Sequence, residues 1–163
     1  MTYEELFKEY KLLTCPMSPI EHFMVMRGKI WQPKDSISQG RYSIELSLEP
    51  FRWGDEEVNT SIKLDFINLK GLPFKELSNK AFPFPINPED GYIDGSVYLE
   101  STHNPIDVTL ISFGILYSDL MSEQDLNENY IAVTILYKFC WEGEDPVNYP
   151  EIKRVNVVLK YVP

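Results

Sequence analysis

Cysteine and histidine are scarce in this chain: its 163 residues hold two of each. Cys15 and Cys140 lie far apart, and neither forms a C-x-x-C pair. A disulfide framework needs more cysteines in a smaller chain, so two free thiols in a reducing cytoplasm are expected. Zinc takes several Cys or His ligands at close spacing, and these scattered residues do not supply them. Nucleophilic catalysis needs a base beside Ser or Cys, and only His22 and His103 are available. Neither Ser96 nor Ser112 carries the flanking glycines of a nucleophile elbow. Phosphate cradles of the G-x-x-x-x-G-K-[ST] and G-x-G-x-x-G types are missing.

Long apolar runs are missing too. No stretch approaches the roughly 20 apolar residues that span a bilayer. The start, MTYEELFKEYKLL, lacks the basic head and apolar run of a signal peptide. A cytoplasmic location without membrane contact is therefore expected. Basic residues are also few, 15 against 25 acidic, for a formal net charge of −10. Nucleic-acid binding draws on Lys and Arg, so such a surface argues against it. A basic partner is favoured, although the charge also serves solubility.

What is present suits a folded domain. Hydrophobic residues make up 44% and charged residues 25%, which argues against disorder. The length fits a single domain over residues 1–163 with a real core. Ten Tyr and nine Phe suit half-buried pleated surfaces and lean towards strands.

An N-terminal helix is expected first. Thr2 and Glu5 form a capping box, and Tyr3, Leu6, Phe7, Tyr10 and Leu13 make one apolar stripe. Pro16 and Pro19 stop it. The period then changes. His22 to Trp31 reads as a strand with Gly28 as a bulge. Tyr42, Ile44, Leu46 and Leu48 alternate with polar neighbours, as do Val58, Thr60, Ile62, Leu64 and Phe66. These two runs are expected to pair as an antiparallel hairpin, with Trp53 to Glu57 as a turn between them. Pro73 suits the start of a short internal helix, Phe74 to Ala81. The prolines of FPFPINP, Phe82 to Pro88, keep it out of any central strand. Further strands are expected at Tyr92 to Glu100, weakened by Gly95, and at Ile106 to Tyr117, after a break at Asn104-Pro105. Tyr130 to Trp141 is the most β-like run, and Val155 to Tyr161 forms the last strand.

About seven strands without intervening helices exclude a parallel βαβ fold. The expectation is a mainly β domain, a two-sheet antiparallel sandwich carrying an N-terminal helix and one short internal helix.

Metal and cofactor sites are not expected. Glu89-Asp90-Gly91 and Asp94-Gly95 put oxygens near glycines, but no Glu falls at the twelfth loop position of an EF-hand. Asp-Gly pairs are ordinary turn residues. A glycosidase-type carboxylate pair has no distinguishing signal. The acids do concentrate in predicted connections. Asp55, Glu56 and Glu57 form one cluster, and Glu89 and Asp90 a second. Glu123, Asp125 and Glu128 form a third, and Glu142, Glu144 and Asp145 a fourth. Loops at one end of a sandwich gather in space, so some clusters are expected to merge into an acidic patch. Trp53, Tyr92, Tyr130 or Trp141 would border it. Carboxylates steer a basic partner and aromatics anchor it. The competing reading is separately solvated turns, with Trp53 and Trp141 in the core.

One stretch resembles a known group. Gly95-Ser96-Val97-Tyr98-Leu99, His103-Asn104-Pro105-Ile106-Asp107-Val108 and Phe113-Gly114 are similar to bacterial immunity proteins of polymorphic-toxin and contact-dependent growth inhibition systems. Trp141-Glu142-Gly143 fits the same pattern. The resemblance implies a non-catalytic protein, monomer or homodimer, that binds and neutralises a cognate toxin domain. Such toxins are commonly basic nucleases. It assigns no catalytic residue, and His103 and Asp107 would be structural. Two other readings stand beside it: a carboxylate-based hydrolase and a β-sandwich assembly module.

Overall fold

A computed structural model describes residues 24–38, 40–53, 55–77, 80–84, 93–100, 102–115 and 128–163. The expected N-terminal helix lies outside the described residues. Ten strands are present among the described residues: β1 Val25–Trp31, β2 Tyr42–Leu48, β3 Phe51–Trp53, β4 Glu56–Val58, β5 Thr60–Ile67, β6 Ala81–Pro83, β7 Asp94–Leu99, β8 Thr102–Ile115, β9 Tyr130–Trp141 and β10 Lys153–Tyr161. The expected internal helix is only a 3-10 turn, Phe74–Glu76. Among the described residues no helix reaches seven residues.

The sandwich expectation is wrong, because the sheet closes on itself. Seven strands run in the order β8-β7-β5-β2-β1-β10-β9, and β9 then returns to β8. Pairing between β8 and β9 spans Ile106↔Trp141 to Ile115↔Val133. One sheet edge therefore meets the other, and no second layer is needed to cover the apolar face. Alternation along a strand reads the same for either architecture, so the sequence pattern does not separate them.

The inner face follows the expected periodicity. Tyr42, Ile44, Leu46 and Leu48 of β2 are buried, as are Ile62 and Leu64 of β5. Ile131, Val133, Ile135, Tyr137, Phe139 and Trp141 of β9 are buried on one face. Each fully buried aliphatic side chain contributes about 1.5–3 kcal/mol of transfer free energy. The barrel is thus a packed core. The predicted pairing of β2 with β5 is present, antiparallel, from Tyr42↔Ile67 to Ser47↔Ser61. Its connection is more than a turn: β3 and β4 form a two-stranded ribbon, Phe51↔Val58 to Trp53↔Glu56.

Irregularities shape the barrel. Gly28 is no bulge. It lies opposite Leu46, and a side chain there would run into the Leu159 and Leu46 methyls. The β1 bulge is at Met26, between the pairs Val25↔Leu48 and Arg27↔Ser47. Gly95 lets β7 approach β8 and β5, since a Cβ there would strike the Val108 carbonyl oxygen. The expected break at Asn104-Pro105 is instead a register shift inside β8, between Ser96↔Asp107 and Tyr98↔His103. Proline has no N–H for the ladder, and a bulge is where a strand accommodates it. In FPFPINP, Phe82 and Pro83 belong to β6, a three-residue strand on β8. Phe82 is buried against Phe113, with ring centroids 6.4 Å apart.

Candidate functional site

The antiparallel order fixes which connections share a barrel end. The β2–β5 ribbon, the β7–β8 turn and the β9–β10 loop close one end. The β1–β2 loop and the β5–β7 and β8–β9 connections belong to the other. Two of the four predicted acidic clusters, Asp55–Glu57 and Glu142–Asp145, are therefore at the same end. Glu128 stands at the start of β9, at the opposite end. Glu89, Asp90, Glu123 and Asp125, with Tyr92, lie outside the described residues.

Residues 48–60, 99–102 and 141–153 make up the first end. Their acids are Glu49, Asp55, Glu56, Glu57, Glu100, Glu142, Glu144, Asp145 and Glu151, against Arg52 and Lys153 alone. At the other end the described residues carry Lys34, Arg41, Lys70, Lys75 and Lys80 against Asp35, Glu76 and Glu128. Among the described residues charge is thus segregated along the barrel axis. Several acids at the first end already have structural partners. Glu49 accepts from the Met24 N–H at 3.2 Å. Glu100 accepts from the Asn59 N–H at 2.9 Å and ties the β7–β8 turn to the base of the ribbon. Asp145 caps a 3-10 turn, accepting from the Val147 N–H at 3.0 Å. Asp55, Glu57, Glu142, Glu144 and Asp145 are exposed.

The aromatic border differs from the expectation. Trp141 is buried in the core at 6% exposure, so it does not face a partner. Tyr130 stands at the opposite end, with the Lys160 ammonium 5.8 Å from its ring centroid. Trp53 and Glu56 are cross-strand partners at the tip of the ribbon.

Cys140 is buried, and its Sγ lies 3.3 Å from the Trp141 carbonyl oxygen and 3.2 Å from that of Glu144. Burial, then the charges of Asp107, Glu144 and Asp145, push its thiol up to about 11. A thiol so held stays protonated at neutral pH and is a poor nucleophile. Burial also pushes Tyr149 up to about 12, helped by its hydrogen bond to Glu144. Cys15 lies outside the described residues. Among the described residues no group of three or more His, Cys, Asp or Glu is placed to hold a metal ion.

A cleft of about 500 Å³ lies on the outer barrel wall beside the ribbon. Outward positions line it: Arg27 of β1, Glu45 and Ser47 of β2, Ser61 and Lys63 of β5. Glu57 of the ribbon and Glu100 of the turn complete its acidic rim. Glu45 lies between Lys29 at 3.9 Å and Lys63 at 3.7 Å. Lys63 also sits 4.6 Å over the Tyr98 ring. At the edge of the cleft, the buried Thr60 Oγ1 has no hydrogen-bond partner. Arg27, Glu45, Lys63 and Glu100 were not singled out by sequence. Outward strand positions read as a wet face, and only strand register brings them together.

No family model, curated protein or solved structure matches this chain. Its functional reading therefore rests on its own residues. Among the described residues no helix is long and apolar enough to cross a membrane.

Proposed function

We propose that the chain is a non-catalytic binding protein, of immunity type, that neutralises a basic toxin domain through the acidic end of its barrel. One observation carries the reading: the ribbon and the β9–β10 loop present Asp55, Glu57, Glu142 and Glu144, all exposed, at a single end. Clustered like charges on a rigid frame raise the encounter rate of an oppositely charged partner, and they do so less at high salt. The protein takes the partner from the cytoplasm as a monomer or homodimer. The resemblance at Gly95 to Gly114 supports the class of partner.

The test is a low-salt co-purification with the tagged chain as bait, from a strain carrying the neighbouring genes. One stoichiometric basic protein, toxic when expressed alone, is expected. Replacing Asp55, Glu57, Glu142 and Glu144 by their amides should then slow association and flatten its salt dependence. Unchanged association in that variant would refute the electrostatic reading. Recovery of the chain alone would favour the outer-wall cleft and a carboxylate-based activity.

A further inference from the structure

The barrel seam between β1 and β10 is only half closed. These two strands pair in parallel at Gly28↔Leu159, Lys29↔Lys160 and Ile30↔Tyr161, and no further. Below Gly28, β1 carries its bulge at Met26, and a bulge bends its strand away from the regular ladder. β10 continues straight, paired with β9 down to Lys153↔Tyr137 without a register shift. Residues 153–158 therefore have β9 on one side and no strand among the described residues on the other.

Backbone direction follows from two hydrogen bonds. Val162 N–H donates to Ile30 at 2.9 Å, towards β1, and Tyr161 N–H donates to Asn129 at 2.6 Å, towards β9. Direction alternates along a strand, so Arg154 and Asn156 turn their N–H and C=O groups into the gap. Such an edge is a template for another strand.

The side chains around the gap favour one kind of strand. Val155 and Val157 face inward yet are only half-buried, and they pack at the margin of the core. They form an apolar floor. Met24 and Met26 on the β1 side are 65% and 59% exposed, which is unusual for side chains of that size. Arg27 and Arg154 are exposed on either flank, and neither has an ion pair among the described residues.

We propose that this gap is a strand-docking slot for an extended segment of another protein, about six residues long, with apolar side chains alternating with Asp or Glu. Backbone groups of Arg154 and Asn156 supply the hydrogen bonds. The valines receive the apolar side chains, and the two guanidinium groups receive the carboxylates. This is strand addition, in which main-chain bonds give affinity and alternate side chains give specificity. The slot opens beside the acidic end, but it does not rest on the function proposed for that end.

The probe is a displayed library of random hexapeptides selected on the full chain. Enriched peptides should alternate apolar with acidic residues. Methylating the slot-facing amides of the best peptide should weaken binding at least tenfold. In the R27E/R154E double variant, selection should turn to Lys and Arg. Asn156→Pro should also abolish binding while the barrel persists, because its N–H points away from β9. Enrichment without alternation, or binding indifferent to amide methylation, would overturn the proposal. So would slow hydrogen exchange at the Arg154 and Asn156 amides in the peptide-free chain. Slow exchange in a monomer would put a segment of the chain itself on that edge. Slow exchange in a dimer would put a second copy there.

Discussion

Closure of the barrel makes unequal demands on three strand glycines, and that inequality is measurable. At Gly95 an added Cβ would overlap the Val108 backbone oxygen and stand 2.6 Å from a Leu64 methyl. A carbonyl held in a ladder cannot rotate away, so β7 and β8 must separate. Overpacking of this kind costs about 1–3 kcal/mol, occasionally more, and a backbone clash belongs at the upper end. At Gly28 the overlapping atoms are methyls of Leu159 and Leu46, which yield by changing rotamer. We expect about 1–2 kcal/mol there. At Gly114 the nearest atom is the Thr134 oxygen at 3.9 Å, an ordinary contact. Alanine there should be neutral or stabilise by up to about 1 kcal/mol, since glycine is costly to order in a strand. For a domain of this size each kcal/mol moves Tm by about 2–4 °C. Gly95→Ala should thus lower Tm by about 6–12 °C, Gly28→Ala by about 2–8 °C, and Gly114→Ala should not lower it. Urea midpoints with unchanged slope would show that stability alone has moved. Equal Tm values for Gly95→Ala and Gly114→Ala would refute the close approach of β7 and β8.

Other perturbations test single residues. Trp141→Ala should cost about 3–5 kcal/mol of stability, as loss of a core aromatic does, and should affect partner binding only through folding. Thermal unfolding beside a binding titration separates the two effects. Tyr42→Phe removes the hydroxyl that donates to the Leu72 carbonyl oxygen at 2.7 Å, and should cost about 1 kcal/mol by urea titration. Cys140 holds its proton to about pH 11 in the fold, against an ordinary thiol value of 9.0. The folded state then binds more protons than the unfolded state between those values, so stability should fall as pH rises from 9 to 11. Cys140→Ser should make that fall shallower, and an unchanged pH profile would show that the thiol is not the cause.

The sequence told more about strands than about how they close. Alternation in β2, β5 and β9 identifies both the strands and their buried faces, because period 2 is a local property. Closure depends on β8 meeting β9 across long sequence separation, and no local pattern reports it. Gly28 and Asn104-Pro105 were read as bulge and break by residue type. The bulge falls instead at Met26, whose side chain gives no such signal, and Pro105 is absorbed within a long strand. The acidic clusters were legible as charge, while their division between barrel ends needed strand direction. Trp141 reads equally as a border aromatic, since acids follow it in sequence, and as core, and its position on the inward face of β9 decides for the core.

The bulge at Met26 also offers a direct test of the seam. Val25 pairs with Leu48 and Arg27 with Ser47, and Leu48 and Ser47 are adjacent. Deleting Met26 would make Val25 and Arg27 adjacent as well, with both pairs and both side-chain directions intact. The β1–β2 ladder would become regular, and β1 would lose the cause of its bend. From Gly28↔Leu159 the parallel ladder would then extend to Arg27 opposite Val158 and Val25 opposite Val157. The Val158 N–H would gain an acceptor in the Val25 carbonyl oxygen, the Asn156 carbonyl oxygen would gain a donor in the Val25 N–H, and Val157 would be covered. Each new backbone bond adds about 0.5–1.5 kcal/mol, so the deletion should stabilise the protein although it removes a residue. Hydrogen exchange at the Val158 amide should slow, and selected hexapeptides should no longer bind. Unchanged exchange with retained peptide binding would mean that the bulge does not hold the seam open.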